Sequence, residues 1–321
     1  MKKFVMPAMF ALAVSAGPAL AADIAKPVYK AAPPVVVSPW DIAFGAGIAS
    51  DYNFRGISQS DRKPSVNAYF EARYNSSKDL QWYAGIGGYS IDFPNRPSAE
   101  IDLYAGVRPT FGPLALDLGV WYYWYPGGQC FNTVALCGSD FTAVTLPNTN
   151  VIKADVSFLE FFAKGTYTFN DNFNMGAGVF YTSDWLNTGA SGTYGNLTAK
   201  FTGNALPSGW NWYLSGEVGK YWLGTTDTFY AVAAFPAGTP LPDYTTWNVG
   251  LGFTYKVFTI DLRYYDTDLT KAECNVLTGD HTATFDASNI TSINPGGMGS
   301  KWCSASFVAK LSVDTTLSAI K

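Results

Sequence analysis

The sequence predicts an all-β protein, a closed antiparallel transmembrane β-barrel of about 12 strands. Apolar residues alternate with polar or small residues over windows of about ten to fourteen residues, which is the period of a strand. The breaks between these windows are rich in Gly, Pro, Asn and Asp. Short and long connections alternate along the chain, as they do in barrels with short turns on one side of a membrane and long loops on the other.

The composition supports a chain that does not expose all of its surface to water. Charged residues make up 14% of the sequence, whereas soluble domains carry about 25%. Aromatic residues make up 16%, and the mean hydropathy is +0.03. Strands with one apolar and one polar face produce this balance. The net charge of -4 is too small to indicate nucleic-acid binding.

Residues 1–22 are predicted to be a signal peptide. Lys2 and Lys3 precede an apolar stretch at 4–14 and a small-residue segment at 15–22. The apolar stretch is well short of the roughly 20 residues that span a bilayer.

Residues 23–39 are predicted to form a Pro-rich periplasmic arm, and residues 40–321 the barrel. The arm contains Pro27, Pro33, Pro34 and Pro39 among alanines and valines, and it shows no strand or helix period. It is interpreted as a flexible linker, with a contact to peptidoglycan as the alternative.

The strands are predicted from the alternation itself. In the first window Trp40, Ile42 and Phe44 share one face, while Asp41 and Ala43 share the other. The candidate strands are 40–49, 66–74, 79–92, 100–108, 113–125, 153–169, 172–183, 193–203, 210–223, 244–255, 258–268 and 302–313.

The connections form an independent test of the barrel. Short links are predicted near 75–78, 110–112, 170–171 and 256–257. Longer links are predicted near 56–63, 93–99, 126–152, 224–243 and 269–301. A soluble two-sheet sandwich predicts no such alternation of loop lengths, so the pattern favours the membrane barrel.

The charged strand faces are assigned to the barrel interior, because Lys or Arg on the lipid side at the bilayer midplane costs about 2–4 kcal/mol. The charges have both signs, which leaves two readings: a hydrated conduit, or a lumen plugged by paired charges. Aromatic residues near strand ends are assigned to the membrane interfaces. The interior set is Glu71, Arg73, Glu100, Asp102, Arg108, Asp117, Glu160, Lys164, Glu217, Asp261 and Arg263, and the interface set is Trp40, Tyr74, Trp82, Trp124, Trp212, Trp222 and Trp247.

Four cysteines are expected to form disulfides, because exported proteins meet an oxidising environment. The chain has no C-x-x-C pair and one histidine, so a metal site is not predicted. Of the three pairings that four cysteines allow, Cys130 with Cys137 and Cys274 with Cys303 are favoured, because each closes a loop within one connecting segment.

One stretch carries a family resemblance. Residues 50–59, Ser-Asp-Tyr-Asn-Phe-Arg-Gly-Ile-Ser-Gln, are followed by Asp61, Arg62 and Pro64. This motif closely resembles the TorF-type porin family of proteobacterial outer membranes, and further matches lie at 100–106, 112–113 and 117–126. The resemblance covers most of the mature chain and implies a barrel and a pore, for a poorly defined solute.

Within that motif Asp51, Asn53 and Arg55 are expected to face inward in strand phase, as a charge-paired rim near the outer mouth. The alternative is a strand-end packing motif beside a Gly turn. One departure concerns the other terminus, which ends in Leu-Ser-Ala-Ile-Lys. Barrels of this type commonly end on an aromatic residue, so either Phe307 would have to serve or assembly differs.

The predicted function is passive diffusion of small solutes or ions through a bacterial outer membrane. The expected partners are outer-membrane lipid, small solutes or ions and further copies of the chain, with no nucleic acid and no cofactor. The alternative is a non-conducting barrel that acts as an adhesin, receptor or structural protein. An enzyme is not predicted, because His281 is expected in a mobile loop with no strand to hold it beside a nucleophile.

Overall fold

The computed structural model describes residues 38–131, 137 and 150–320. The predicted signal peptide and nearly all of the Pro-rich arm lie outside the described residues. In the described ranges no helix is long and apolar enough to cross a membrane.

The described chain is almost entirely β-structure with a single α-helix, α1 (Lys271–Thr278). The strands are β1 (Trp40–Ala49), β2 (Asn53–Phe54), β3 (Ile57–Ser58), β4 (Ser65–Ser77), β5 (Leu80–Tyr89), β6 (Glu100–Phe111), β7 (Leu114–Trp124), β8 (Phe158–Asn170), β9 (Phe173–Thr182), β10 (Gly192–Thr202), β11 (Asn211–Leu223), β12 (Tyr244–Tyr255), β13 (Phe258–Thr267), β14 (Thr284–Phe285), β15 (Met298–Gly299) and β16 (Ser306–Thr316).

Twelve of these strands form a closed barrel in the order β1-β16-β13-β12-β11-β10-β9-β8-β7-β6-β5-β4. All pairs are antiparallel, and β1 closes the ring because it pairs with both β4 and β16. The predicted fold class is therefore confirmed. Each predicted window contains one wall strand. Two strands begin later than predicted: β8 at Phe158, and β16 at Ser306, where Trp302 is buried among the loops instead.

The two faces of the wall differ as the alternation predicts. On β12 the side chains of Trp247, Val249 and Leu251 lie on the exposed outer face. Thr246 and Asn248 lie on the inner face between them. The wall strands hydrogen-bond to neighbours on both sides, which satisfies the backbone groups that hydrocarbon could not. The barrel thus has the construction of a transmembrane protein.

The connections differ in length at the two ends. At one end, called the turn end, adjacent strands are joined by two residues at 78–79, 112–113, 171–172 and 256–257, and by a longer link at 203–210. The opposite end, called the loop end, has the six other connections, at 50–64, 90–99, 125–157, 183–191, 224–243 and 268–305.

The segment 268–305 is an ordered unit of the loop end, contrary to the mobile loop expected from the sequence. The helix α1 has a capping box between Thr270 and Glu273 and ends at Gly279 in the left-handed region. The strands β14 and β15 pair, and the Cys274–Cys303 disulfide joins the helix to the start of β16. Both favoured disulfides, including Cys130–Cys137, are present. A short helix and two-residue strands leave too little periodicity to be read from sequence.

Placing a charge on the outer face tests the lipid-facing assignment. Val249 lies near the middle of β12, so Val249→Arg is expected to destabilise the barrel by about 2–4 kcal/mol. Thr245→Arg, on the same face near the strand end, is expected to cost about 0–1 kcal/mol. Urea unfolding in lipid vesicles measures both. Equal costs at the two positions would contradict a bilayer around the barrel.

Removing the disulfides separately tests how much each stabilises the loop end. The bridged residues are 29 apart for Cys274–Cys303 and 7 apart for Cys130–Cys137. Loop-closure entropy then predicts losses of about 3.5 and about 2.5 kcal/mol for the paired Cys→Ser variants. Unfolding of both variants in the same vesicles gives the comparison, and a larger loss for the shorter loop would be the opposite of this expectation.

Candidate functional site: the lumen and its closure

The inner wall carries paired charges at mid-height. Glu71 accepts hydrogen bonds from Arg73 Nε at 2.6 Å and from Arg108 at 2.9 and 3.1 Å. Asp117 lies 3.0 Å from Lys164 Nζ and 3.6 Å from Arg108 Nε. The Arg108 side chain retains 22% exposure and that of Lys164 38%. This part of the lumen is therefore charged, largely neutralised and in contact with water.

A second charged group lies on the strands β11 to β13. Arg263 donates to both carboxylate oxygens of Asp261 at 2.9 and 3.0 Å, and also to Asn248 and Ser215. The Tyr213 hydroxyl donates to Asp261 at 2.7 Å. These partners satisfy the charges of Asp261 and Arg263 within the wall, so neither is an isolated charge.

Several tyrosine rings lie close against the wall. On adjacent strands Tyr104 is directly opposite Gly85, and Tyr213 is directly opposite Gly252. A Cβ atom at Gly85 would come within 2.4 Å of the Tyr104 ring, and one at Gly252 within 2.0 Å of the Tyr213 ring. The rings therefore cover glycine backbone, which keeps them beside the wall and leaves more of the axis free.

The lumen is closed toward the loop end by the hairpin β2–β3, whose tip is Arg55. The hairpin turns through Arg55 and Gly56, which have φ of +49° and +86°. Asn53 supports the turn by accepting a hydrogen bond from the Gly56 backbone at 3.0 Å. A side chain at residue 56 would approach Thr246 Oγ1 to 2.4 Å. The tip thus lies directly against the inner wall, and only glycine fits there.

Arg55 forms the central contact of this closure. Its guanidinium donates two hydrogen bonds to the Glu160 carboxylate, at 2.7 and 2.8 Å. The guanidinium carbon also lies 4.4–5.1 Å from the ring centroids of four aromatic residues, Phe54, Phe180, Tyr194 and Tyr221. A planar, permanently charged guanidinium suits both the two-oxygen pairing and the aromatic faces. We call Arg55, Glu160 and these four rings the latch.

Burial shows that the latch excludes water. The side chains of Arg55 and Glu160 are 6% and 0% exposed. Tyr194, Tyr221 and Tyr244 are each 1% exposed, and the Tyr244 hydroxyl donates to the Arg55 backbone carbonyl. Because these residues come from the walls and from the hairpin, the described structure has a closed layer above the hydrated mid-height charges.

The rest of the motif at 50–59 attaches the hairpin to the barrel. Asp51 is buried and accepts hydrogen bonds from Ser58 and Ser60 at 2.6 and 2.9 Å. The hydroxyls of Tyr52 and Tyr125 both donate to Glu100 on β6. Asp102, two residues further on the same face, is also buried.

The structure places the sequence-predicted residues in two groups. Glu71, Arg73, Arg108, Asp117, Lys164, Glu217, Asp261 and Arg263 lie on the inner face at mid-height, and Glu100, Asp102 and Glu160 lie on that face near the loop end. The strand β1 ends at Ala49, so Asp51, Asn53 and Arg55 belong to the inserted hairpin and not to the wall. Sequence reasoning missed Phe180, Tyr194 and Tyr221, although their inward strand phase was a signal.

A polar contact set joins the first and last long connections. Arg62 donates to the backbone carbonyls of Lys301, Ser304 and Ala305. Asp61 accepts from Trp302 Nε1 at 2.8 Å and from Thr282 at 3.1 Å. These contacts hold segment 268–305 over the hairpin.

His281 takes part in the same region. Its ring packs edge-on against Trp302, with ring centroids 5.8 Å apart, and its Nε2 lies 3.6 Å from Asp92. Asp61, Asp92 and His281 have ligand-capable atoms within 4.8 Å of one another. The Lys63 ammonium lies 2.9 and 2.7 Å from the two carboxylates, so a lysine already bridges them. The contacts are those of a loop junction.

Fold and site together define a transmembrane β-barrel with a charged inner wall and a loop-borne closure. The family model for "Bacterial protein of unknown function (Gcw_chp)" matches residues 34–292. The chain belongs to this family. The finer resemblance to TorF-type porins stays a prediction. No curated protein matches the chain.

The solved structures with similar architecture include outer-membrane channels and porins. An outer membrane channel from Pseudomonas putida F1 is 10% identical, with a TM-score of 0.47, over 90% of this chain and 100% of that one. The NanC porin is 9% identical, with a TM-score of 0.42, over 85% and 98%. Salmonella typhi OmpF, in complex with daunomycin, is 10% identical, with a TM-score of 0.32, over 87% and 96%. Similarity this low says nothing about the solute.

Acid is expected to loosen the loop junction through Asp61. Burial raises the pKa of Asp61, but hydrogen bonds from Lys63, Trp302 and Thr282 outweigh burial and bring the pKa below its ordinary value of 3.8. A carboxyl group with a lowered pKa stabilises the fold fully above the ordinary value, and this contribution is lost as the pH falls through the lowered pKa.

Hydrogen exchange of segment 268–305, corrected for the chemical exchange rate, measures this effect at pH 7 and in acid. Wild type is expected to lose protection in acid, whereas Asp61→Asn, which tolerates the same left-handed backbone, should be less protected already at pH 7 and change less. An identical acid response in both proteins would remove Asp61 as the cause.

Proposed function

We propose that this protein is a bacterial outer-membrane channel for passive diffusion of small solutes, and that the latch holds it in a closed state. The apolar outer face is exposed to lipid, and the loop end faces the cell exterior, as long loops do in such barrels. Residues 1–22 direct export. The pore-lining residues are the mid-height charges, and Glu100, Asp102 and Glu160 lie around the closure.

The observation that carries the proposal is a hydrated, charged lumen below a closure that belongs to a loop. The Arg73, Arg108 and Lys164 side chains retain 20–38% exposure on the inner wall. A barrel with a purely structural role gains little stability from charges that remain solvated. A conduit needs them, because they interact with water and solute along the path.

The closure is also suited to release. Arg55 contacts the wall through noncovalent interactions, and its hairpin is two residues long on each side. Buried ion pairs contribute little net stability, because desolvation offsets the attraction. Displacement of the hairpin breaks polar contacts that water replaces, together with the ring contacts of Arg55 and the apolar packing of Phe54 and Ile57, while the wall hydrogen bonds stay intact.

The closed layer equally favours the second candidate, a non-conducting barrel that acts through its external surface as a receptor or adhesin. The ordered segment 268–305, with its helix and disulfide, is a rigid external surface. The two candidates differ in the expected effect of removing the latch. A channel without its latch conducts, and a filled barrel does not.

Planar-bilayer recording of Arg55→Ala tests the proposal. Removing one partner of a buried pair costs about 3–5 kcal/mol, and about 1.4 kcal/mol changes an equilibrium tenfold. The open fraction is therefore expected to rise at least about tenfold over wild type, with Glu160→Gln acting in the same direction. Lys78→Ala, which removes a fully hydrated charge at the turn end, serves as the control and should behave as wild type.

Insertion of every variant is verified by protease protection in vesicles of the same lipid as the planar bilayer, so that a bilayer without conductance is not taken for a failure to insert. Discrete conductance steps in Arg55→Ala above those of wild type support the channel. No steps in the inserted variant would establish the non-conducting barrel instead.

A further inference from the structure

A cavity of about 370 Å³ lies at the loop end, directly over the latch. All six long connections contribute to its lining, from the hairpin β2–β3 to the segment before β16. Its size is within the roughly 300–1,000 Å³ of small-molecule sites. Residues that represent the lining are Phe54, Phe93, Val156, Trp185, Leu277 and Trp302.

The lining carries no charged side chain among the described residues. This contrasts with the lumen on the other side of the latch, where Glu71, Arg108 and Asp117 are paired. An ion that entered the cavity would lose hydration without gaining a countercharge, which is strongly unfavourable. The cavity therefore disfavours charged molecules.

Most of the polar side chains in the lining are already engaged within the protein, whereas the buried Tyr221 hydroxyl has no hydrogen-bond partner in the described structure. Ser58 donates to Asp51, Thr188 to the Trp185 carbonyl and Thr239 to the Tyr230 carbonyl. Asn275 likewise donates to Asn294. A bound molecule would therefore meet mainly aromatic and aliphatic surface, and a polyhydroxylated solute would find few free partners.

The floor of the cavity is shared with the latch. Phe54, Tyr221 and Tyr244 line the cavity, and each also contacts Arg55. A molecule in the cavity would therefore rest on the residues that close the lumen.

From this placement we infer that the cavity is a binding site for an uncharged small molecule with an aromatic or aliphatic body. The inference deepens the proposed function by naming the class of solute, and it rests on that function only for onward passage through the lumen. Binding itself requires the loop end alone. The binding site and the channel can therefore be contradicted independently, each by its own measurement.

Equilibrium dialysis against the full chain in lipid nanodiscs tests the site, with empty nanodiscs to subtract partition into lipid. The probes are 2-naphthol, which is uncharged at pH 7, and naphthalene-2-sulfonate, which has a similar ring and a charge. Saturable binding of 2-naphthol at one site per chain is expected, with at least about tenfold weaker binding of the sulfonate.

A matched pair of variants locates the site. Ala231 lines the cavity, whereas Ala234, three residues on in the same connection, is exposed and outside it. Ala231→Trp fills the space and is expected to weaken 2-naphthol binding at least about tenfold, while Ala234→Trp should leave it unchanged. Hydrogen exchange of the other loops checks that both variants keep the loop end folded.

Three results would overturn the inference: no saturable binding beyond empty nanodiscs, equal binding of the two probes, or equal effects of the two tryptophans. If 2-naphthol binds but the Arg55→Ala variant shows no conductance, the binding site stands and the proposed channel is contradicted. If the Arg55→Ala variant conducts but 2-naphthol does not bind, the proposed channel stands and the binding site is contradicted.

Discussion

The pairing of β1 with both β4 and β16 is the constraint on which the rest of the molecule depends. Within hydrocarbon an unpaired backbone group costs several kcal/mol, so an open sheet edge cannot cross a membrane. Closure removes that edge. It also creates two chemically distinct faces, because successive side chains of every strand point alternately toward lipid and toward the lumen.

Closure also explains why the two ends differ. At the turn end two residues suffice to join most neighbouring strands. The loop end carries the long connections, and their apolar side chains pack together over the mouth, with Trp185, Leu277 and Trp302 in the buried cluster. This buried cluster covers the hairpin β2–β3, and Glu160 lies beside the hairpin. A buried arginine persists there because two carboxylate oxygens and four ring faces replace water.

The wall could be predicted from sequence, because a period of two identifies the strands and the cost of charge in lipid identifies their inner face. These two arguments place Glu71, Arg108 and Asp261 on the inner face, and the strand count of about twelve follows from the breaks. The latch could not be predicted in this way. Pairing of Arg55 with Glu160 joins residues 105 apart, and nothing in either local pattern indicates the partner. The motif at 50–59 marked a special segment, but strand phase assigned it to the wall, whereas Gly56 and the left-handed Arg55 turn it inward.

The external segment 268–305 is a second part of the molecule that could not be predicted from sequence. Its capping box, its glycine helix end and its disulfide are each visible in the sequence, but a single eight-residue helix shows too little period to distinguish it from a loop. The packing of that segment over the hairpin, together with the other five long connections, encloses the cavity. The result is a sequence of environments along the axis: a cavity without charge in its described lining, a water-free ion pair, and a hydrated charged lumen. In the proposed channel, a molecule that moved along this axis would lose its water before it met the latch and regain it afterwards, and desolvation at the loop end would then be the step that disfavours charged molecules.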